Sequence, residues 1–407
     1  MDIFVARQPI FDQYQKVIGY EILHRSGPDN HFIKTSEYGV DETEEVIMNS
    51  FLVIGLQTLT RGKRAFINFP MQSLIKQAPT LLPNNTVVIE VLSDYLVDGE
   101  VIEALEHLKG KGYILALDDF VFRPDMIPIL DLMDIVKVCF LSHNSKERKD
   151  IAKLMRYKDA RLLAEKIETM EDFEEAKELG YTYFQGHFFA RPLLLKGKDI
   201  EAFNPTLLEL LKEVNQKEIH YEKLESLIKR DVSLSYKLLR YINSLSFGLM
   251  SEVHSIRHAI SYLGQNGLKK WLSIMSLRRF GKGKANELFV SAVCRASFCE
   301  AMATQVNLDN KRGDLFLVGL FSHLDAFLDQ PMNKIIEQLP VSKEVKDALA
   351  GESGVMKDVY DLVVHYEKGN WELFSKQARK LQLREDKVAK EYFHCLREAD
   401  VIFGIME

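Results

Sequence analysis

From the N-terminus to about residue 200, short apolar runs rich in β-branched residues alternate with stretches whose apolar positions recur at helical spacing. The strand-like runs are IFVARQPI, VIGYEILHR, RAFINFP, TVVIEVL, YILALDDF, DIVKVCF, ARLLAEKIE and YTYFQGHFF. Between most of them lie helical patterns such as TMEDFEEAKELG and DGEVIEALEHLKGKG, the latter ending on the stop signals Gly110 and Gly112. Strand and helix alternating this often predict a parallel sheet, and about eight strands in about 200 residues predict a closed (β/α)8 barrel of the TIM type. A doubly wound sheet is the alternative, but no Gly-rich phosphate turn follows an early strand. After about residue 200 the period becomes helical throughout, which predicts an all-α second domain. Asn204-Pro205 reads as a turn and helix start, giving domains of 1–203 and 204–407.

A chain of 407 residues fits two domains better than one. Its 46% apolar and 28% charged residues are ordinary for a soluble globular protein. The net charge of -6 offers no basic footprint, which argues against a nucleic-acid polymer as partner. Cys139, Cys294, Cys299 and Cys395 form no C-x-x-C pair, as expected in a reducing compartment. The start has no apolar core of signal-peptide length and no run approaches a membrane span, so a cytoplasmic location without membrane contact is expected.

Barrels of this type place their chemistry at the C-terminal ends of the strands. The polar residues there are Glu21 and Arg25, Asn68, Glu90, Asp118 and Asp119, Lys137, Glu165 and Glu168, and Gln185. One acid at a strand end is more often a turn residue or helix cap than a ligand. Adjacent acids such as Asp118 and Asp119, however, repel unless water or a cation screens them. The set is almost all oxygen donors without Cys or His, which suits a hard cation such as Mg²⁺, Mn²⁺ or Ca²⁺. Two such ions side by side would neutralise Asp118 and Asp119 together, and two-metal sites drive in-line displacement at phosphorus.

The same segments resemble the EAL domains, cyclic-di-GMP phosphodiesterases with a modified TIM barrel. GYEILHR is similar to their Glu-x-Leu-x-Arg signature, NFP to Asn-x-Ser or Asn-x-Pro, and EVLS to Glu-x-Thr-Glu. DDF resembles the start of Asp-Asp-Phe-Gly, VKVC resembles Lys-Ile-Asp, AEKIET resembles Ala-Glu-Gly-Val-Glu-Thr, and QGHFFARP resembles Gln-Gly-Tyr-x-Phe-x-x-Pro. The resemblance implies that Glu21, Asn68, Glu90, Asp118 and Asp119 ligate two Mg²⁺ or Mn²⁺ ions, and that Lys137 and Glu165 hold and activate the attacking water. It further implies that Arg25 grips a substrate phosphate and that Gln8 and Gln185 line the nucleotide cleft.

Several positions depart from the family pattern. The segment after Asp-Asp-Phe is Val121-Phe122-Arg123-Pro124-Asp125 instead of Gly-x-Gly-x-Ser-Ser, about two residues shorter and stiffened by proline. Ser93 stands where the family has the glutamate that anchors this loop, Cys139 replaces an aspartate, and Lys166 replaces a glycine. Family dimers meet through the altered region, so a homodimer is compatible with the resemblance without being implied by it.

The helical half resembles the HDOD domain, an output module related to the HD phosphohydrolases, through LIKRDVSLSYKLLRYINS, HSIRHAISYLG and FLVGLFSHLDAFL. Ser322 and His323 occupy the His-Asp positions, and neither suits the metal site of those enzymes. His254 and His258 are four apart, but Ser255 reads as an N-cap that leaves His254 outside the helix. Cys294 and Cys299 are expected in the core. The expectation is a bacterial cyclic-di-GMP signalling protein that binds and hydrolyses the dinucleotide, with a protein partner at the HDOD domain. The alternatives are a non-catalytic adaptor or sensor, motivated by the altered loop and anchor, and hydrolysis by the helical half itself.

Overall fold

The computed structural model describes residues 3–26, 55–93, 99–123, 126–186, 188, 205–214, 216, 220–244, 251–280 and 284–406. Pro124 and Asp125 of the altered loop, His187, Phe189–Pro192 and the boundary residue Asn204 lie outside them. The chain divides into two compact units, Met1–Phe189 with Tyr366–Glu372, and Ala190–His365 with Leu373–Glu407.

In the first unit the strands β1 (Ile3–Asp12), β2 (Val17–Ser26), β3 (Arg64–Asn68), β4 (Val87–Leu92), β5 (Ile114–Asp118), β6 (Ile135–Cys139), β7 (Arg161–Ile167) and β8 (Tyr183–Gly186) close in sequence order into a barrel. β1 runs antiparallel to both β2 and β8, and the other neighbours are parallel. Closure excludes the doubly wound alternative.

Successive strand residues point to opposite faces, so every second residue looks into the barrel. One apolar layer there consists of Ile10, Phe66, Val88, Ala116, Ile135 and Leu163. Gly19 belongs with this layer, because a Cβ on it would stand 2.7 Å from the Phe66 ring. Two residues further along each parallel strand the inward position is polar: Glu21 after Gly19, Asn68 after Phe66, Glu90 after Val88, Asp118 after Ala116, Lys137 after Ile135 and Glu165 after Leu163. The apolar layer is the floor on which a polar layer rests.

Helices cover the outside. Ser145–Met155 opens on a capping box in which Asn144 accepts from the Glu147 amide and Glu147 accepts from the Asn144 amide. Met170–Leu179 begins with the equivalent pair Thr169 and Asp172 and stops at Gly180, φ 94°.

The second unit is helical among the described residues. Asn286–Gln305 packs closely on Arg312–Phe321, since a Cβ on Gly319 would meet the Arg295 carbonyl oxygen at 2.5 Å. Ser255 caps Ile256–Phe280 by accepting from the His258 amide at 3.1 Å, and His254 is exposed outside the helix. All four cysteines are free thiols and buried. No helix among the described residues is long and apolar enough to cross a membrane.

Candidate metal and phosphodiester site

Lys137 is fully buried at the middle of the polar layer, and an ammonium there must be surrounded by anions to remain charged. Its Nζ lies 2.7 Å from Glu90 Oε1, 2.9 Å from Asp118 Oδ1, 2.9 Å from Glu165 Oε1 and 3.5 Å from Glu21 Oε1. Four carboxylates around one ammonium leave three negative charges in excess if all ionise. Burial opposes the charge on Lys137, but Asp118, Glu165, Glu21 and Glu90 outweigh it and hold the lysine pKa well above its ordinary value. Burial raises Glu90 well above the usual carboxylate range and pushes Glu165 up to about 8. Asp118 feels the same burial, yet Lys137 and a hydrogen bond from Asn68 bring it below the usual range. Burial thus favours protons on Glu90 and Glu165, which an added cation would displace.

A hard cation fits this set. Glu21, Glu90 and Asp118 each offer an oxygen, and the three lie within 4.8 Å of one another. Asn68 donates through Nδ2 to Glu90 Oε2 at 2.9 Å, which leaves its buried Oδ1 with no hydrogen-bond donor. An orphaned buried carbonyl oxygen beside three carboxylates is an oxygen donor awaiting a positive partner. Gln185 donates to Glu21 Oε2 at 2.5 Å and to Gln8 Oε1 at 3.1 Å, fixing Glu21 from the opposite side and leaving its own buried Oε1 without a donor.

Glu21, Asn68, Glu90, Asp118, Lys137, Glu165, Gln8 and Gln185 therefore come together at one mouth of the barrel. Asp119 does not join them. Asp119 is exposed, in the left-handed region at φ 47°, outside the three-carboxylate cluster. Arg25 is only 4% exposed, with its guanidinium 4.3 Å over the Phe4 ring.

Ser93 and Arg123 take on a task that their residue types did not announce. The Ser93 hydroxyl donates to the Asp119 carbonyl at 3.1 Å, and Arg123 reaches back to donate to the Ser93 carbonyl at 3.1 Å. The end of β4 is thus tied to the segment leaving β5, where the family pattern has a glutamate anchor.

In the helical unit the Arg295 guanidinium donates to Ser322 Oγ at 3.0 Å, and Ser322 donates in turn to the Gly319 carbonyl at 2.8 Å. A guanidinium thus stands beside the position that a metal-binding imidazole takes in HD enzymes.

Fold and site together define a two-part protein: a closed β/α barrel with a cation-ready carboxylate mouth, joined to a helical module. The HDOD domain family matches residues 200–344. Cyclic di-GMP phosphodiesterase CdgJ of Vibrio cholerae serotype O1 is 34% identical over 396 residues, covering 97% of this chain and 91% of its own. The uncharacterized protein YuxH of Bacillus subtilis strain 168 is 34% identical over 407 residues, covering 98% and 97%. The calcium and cyclic-di-GMP complex of Klebsiella pneumoniae BlrP1 matches 47% of this chain and 56% of its own at 20% identity, with a TM-score of 0.40. The chain belongs to the EAL–HDOD family.

Proposed function

We propose that the barrel is a divalent-cation-dependent phosphodiesterase that opens cyclic-di-GMP to the linear dinucleotide. The observation that carries this reading is the convergence of Glu21, Glu90 and Asp118 within 4.8 Å, beside the unpartnered Asn68 Oδ1 and around the buried Lys137. The full-length similarity to a protein named for that activity supports it. Glu21, Asn68, Glu90 and Asp118 would hold Mg²⁺ or Mn²⁺, which when bound would polarise the phosphodiester and neutralise charge developing on its oxygens.

This chain's own residues supply the rest. Burial holds the Glu165 pKa at about 8, so the residue keeps its proton near neutral pH, and once a bound cation displaces that proton the carboxylate can accept one from water. Lys137, 2.9 Å from Glu165, keeps a positive charge beside that carboxylate and beside any hydroxide formed there. Gln8 and Gln185 form the polar wall next to Glu21, where a nucleotide can be hydrogen-bonded. Domains of 1–203 and 204–407 divide the labour: the barrel performs turnover and the HDOD module docks a protein partner.

The assay is chromatography of cyclic-di-GMP incubated with full-length protein and Mg²⁺ or Mn²⁺, with Glu21→Ala as control. The linear dinucleotide is expected from the wild type only. A folded Glu21→Ala protein that turns over substrate as fast as wild type would remove the proposal.

A further inference from the structure

Three helices of the helical unit, Val232–Ile242, Ile256–Phe280 and Glu385–Met406, border a cavity of about 230 Å³. That is room for about seven waters, or for one small molecule of the same volume. Ile256–Phe280 is broken at Gly264, φ 62° and ψ -172°, a conformation that only glycine adopts without strain, and Leu263 at this break lines the cavity. The walls are held in place by hydrogen bonds. Arg240 donates to the Gly404 carbonyl at 3.2 Å, tying Val232–Ile242 to Glu385–Met406. Asn243 donates to the Val253 carbonyl at 2.8 Å and accepts from the Val253 amide at 2.7 Å, which pins the turn carrying Ser244.

The lining combines apolar surface with two polar groups that lack partners. Leu263, Ile402 and Ile405 are apolar, and Tyr241 and Tyr262 add aromatic rings. Ser244 Oγ is buried without a hydrogen-bond partner, so nothing offsets its loss of water. Glu398 contributes a half-buried carboxylate that no hydrogen bond or ion pair meets among the described residues. Lys270 also lines the cavity, but its ammonium pairs with Glu300 and stands 5.1 Å over the Phe316 ring. The unmatched charge on the walls is therefore negative. We propose that this cavity binds a small organic ammonium. Its charge would face Glu398, an N–H would reach Ser244 Oγ, and its apolar body would lie on Leu263, Ile402 and Ile405, with the tyrosine rings attracting the cation as well. An anion would meet Glu398 with no uncommitted cation to offset it, and a neutral hydrocarbon would bury Ser244 and Glu398 with neither satisfied. The proposal is independent of the chemistry assigned to the barrel.

The test is calorimetric titration of the full-length protein at pH 7 with phenethylamine, which is protonated there, and with phenylacetate, which has a similar body and the opposite charge. Wild type is expected to bind one phenethylammonium per chain and no phenylacetate. Glu398→Gln should weaken the amine by at least about tenfold and Ser244→Ala by about threefold, the sizes of a charge-assisted and a neutral hydrogen bond. Wild type that takes up no phenethylammonium, or takes up phenylacetate equally well, would overturn the proposal without any variant having to fold. Full affinity in either folded variant would overturn it as well, because the amine would then sit elsewhere, as among the carboxylates of the barrel.

Discussion

Removing the Lys137 ammonium would leave four buried carboxylates facing one another across the polar layer. Breaking a buried ion pair by deleting one partner typically costs about 3–5 kcal/mol. Lys137→Met is therefore expected to lower the urea stability of the metal-free protein by that order, and Mn²⁺ should restore more stability to the variant than it adds to wild type. Equal Mn²⁺ stabilisation of the two proteins would contradict the arrangement. Glu165 gives a pH prediction of definite sign. Its folded pKa is raised from 4.5 to about 8, so the folded state keeps a proton that the unfolded chain has released. That contribution is complete below about 4.5 and is lost as pH rises through about 8. In chelator, stability should fall across this window, and Glu165→Gln should flatten the fall. Saturating Mn²⁺ should weaken the dependence, because bound cations favour the ionised carboxylates. At this scale the sequence showed which residues stand at strand ends but not which of them converge. Asp118 and Asp119 are neighbours in the chain, but strand alternation and the φ of 47° send them to different places.

The tether from β4 to the segment after β5 is a property of elements, with Ser93 and Arg123 as its two links. A hydrogen bond of this kind contributes about 1 kcal/mol, so Ser93→Ala and Arg123→Ala should each destabilise by about that amount. Because both links hold the same segment, the double variant should cost less than the sum of the two. Strict additivity in urea melts would show that they act independently. The eight strands were legible in the sequence as short apolar runs, most of them separated by stretches of helical spacing. The antiparallel direction of β1 was not, since strands of either direction share the period of two. The replacement of the loop anchor was visible as Ser93, but its function was not. A serine hydroxyl and an arginine from within the loop make bonds to backbone carbonyls, and residue type alone does not reveal such partners.

In the molecule as a whole, an EAL-type barrel with an intact carboxylate layer stands in one chain with an HDOD module whose Ser322 accepts from Arg295. On the proposed function turnover belongs to the barrel, so Arg295→Ala should leave cyclic-di-GMP turnover within about twofold of wild type, roughly 0.4 kcal/mol in barrier height. A loss of turnover in a folded Arg295→Ala protein would transfer the chemistry to the helical unit. The two-part organisation was legible in the change of hydrophobic period near residue 200. The hard-cation character of the barrel mouth was legible in its oxygen donors, whereas the convergence of Glu21, Glu90 and Asp118 and the oxygen left without a donor, Asn68 Oδ1, became visible only with the geometry. The measurement that tests the account most directly is the chromatographic assay of cyclic-di-GMP with purified full-length protein and Mn²⁺, run beside Glu21→Ala and a chelator control. The linear dinucleotide is expected from wild type with Mn²⁺ and from neither control. Intact cyclic-di-GMP after prolonged incubation with folded, Mn²⁺-loaded wild type would contradict it.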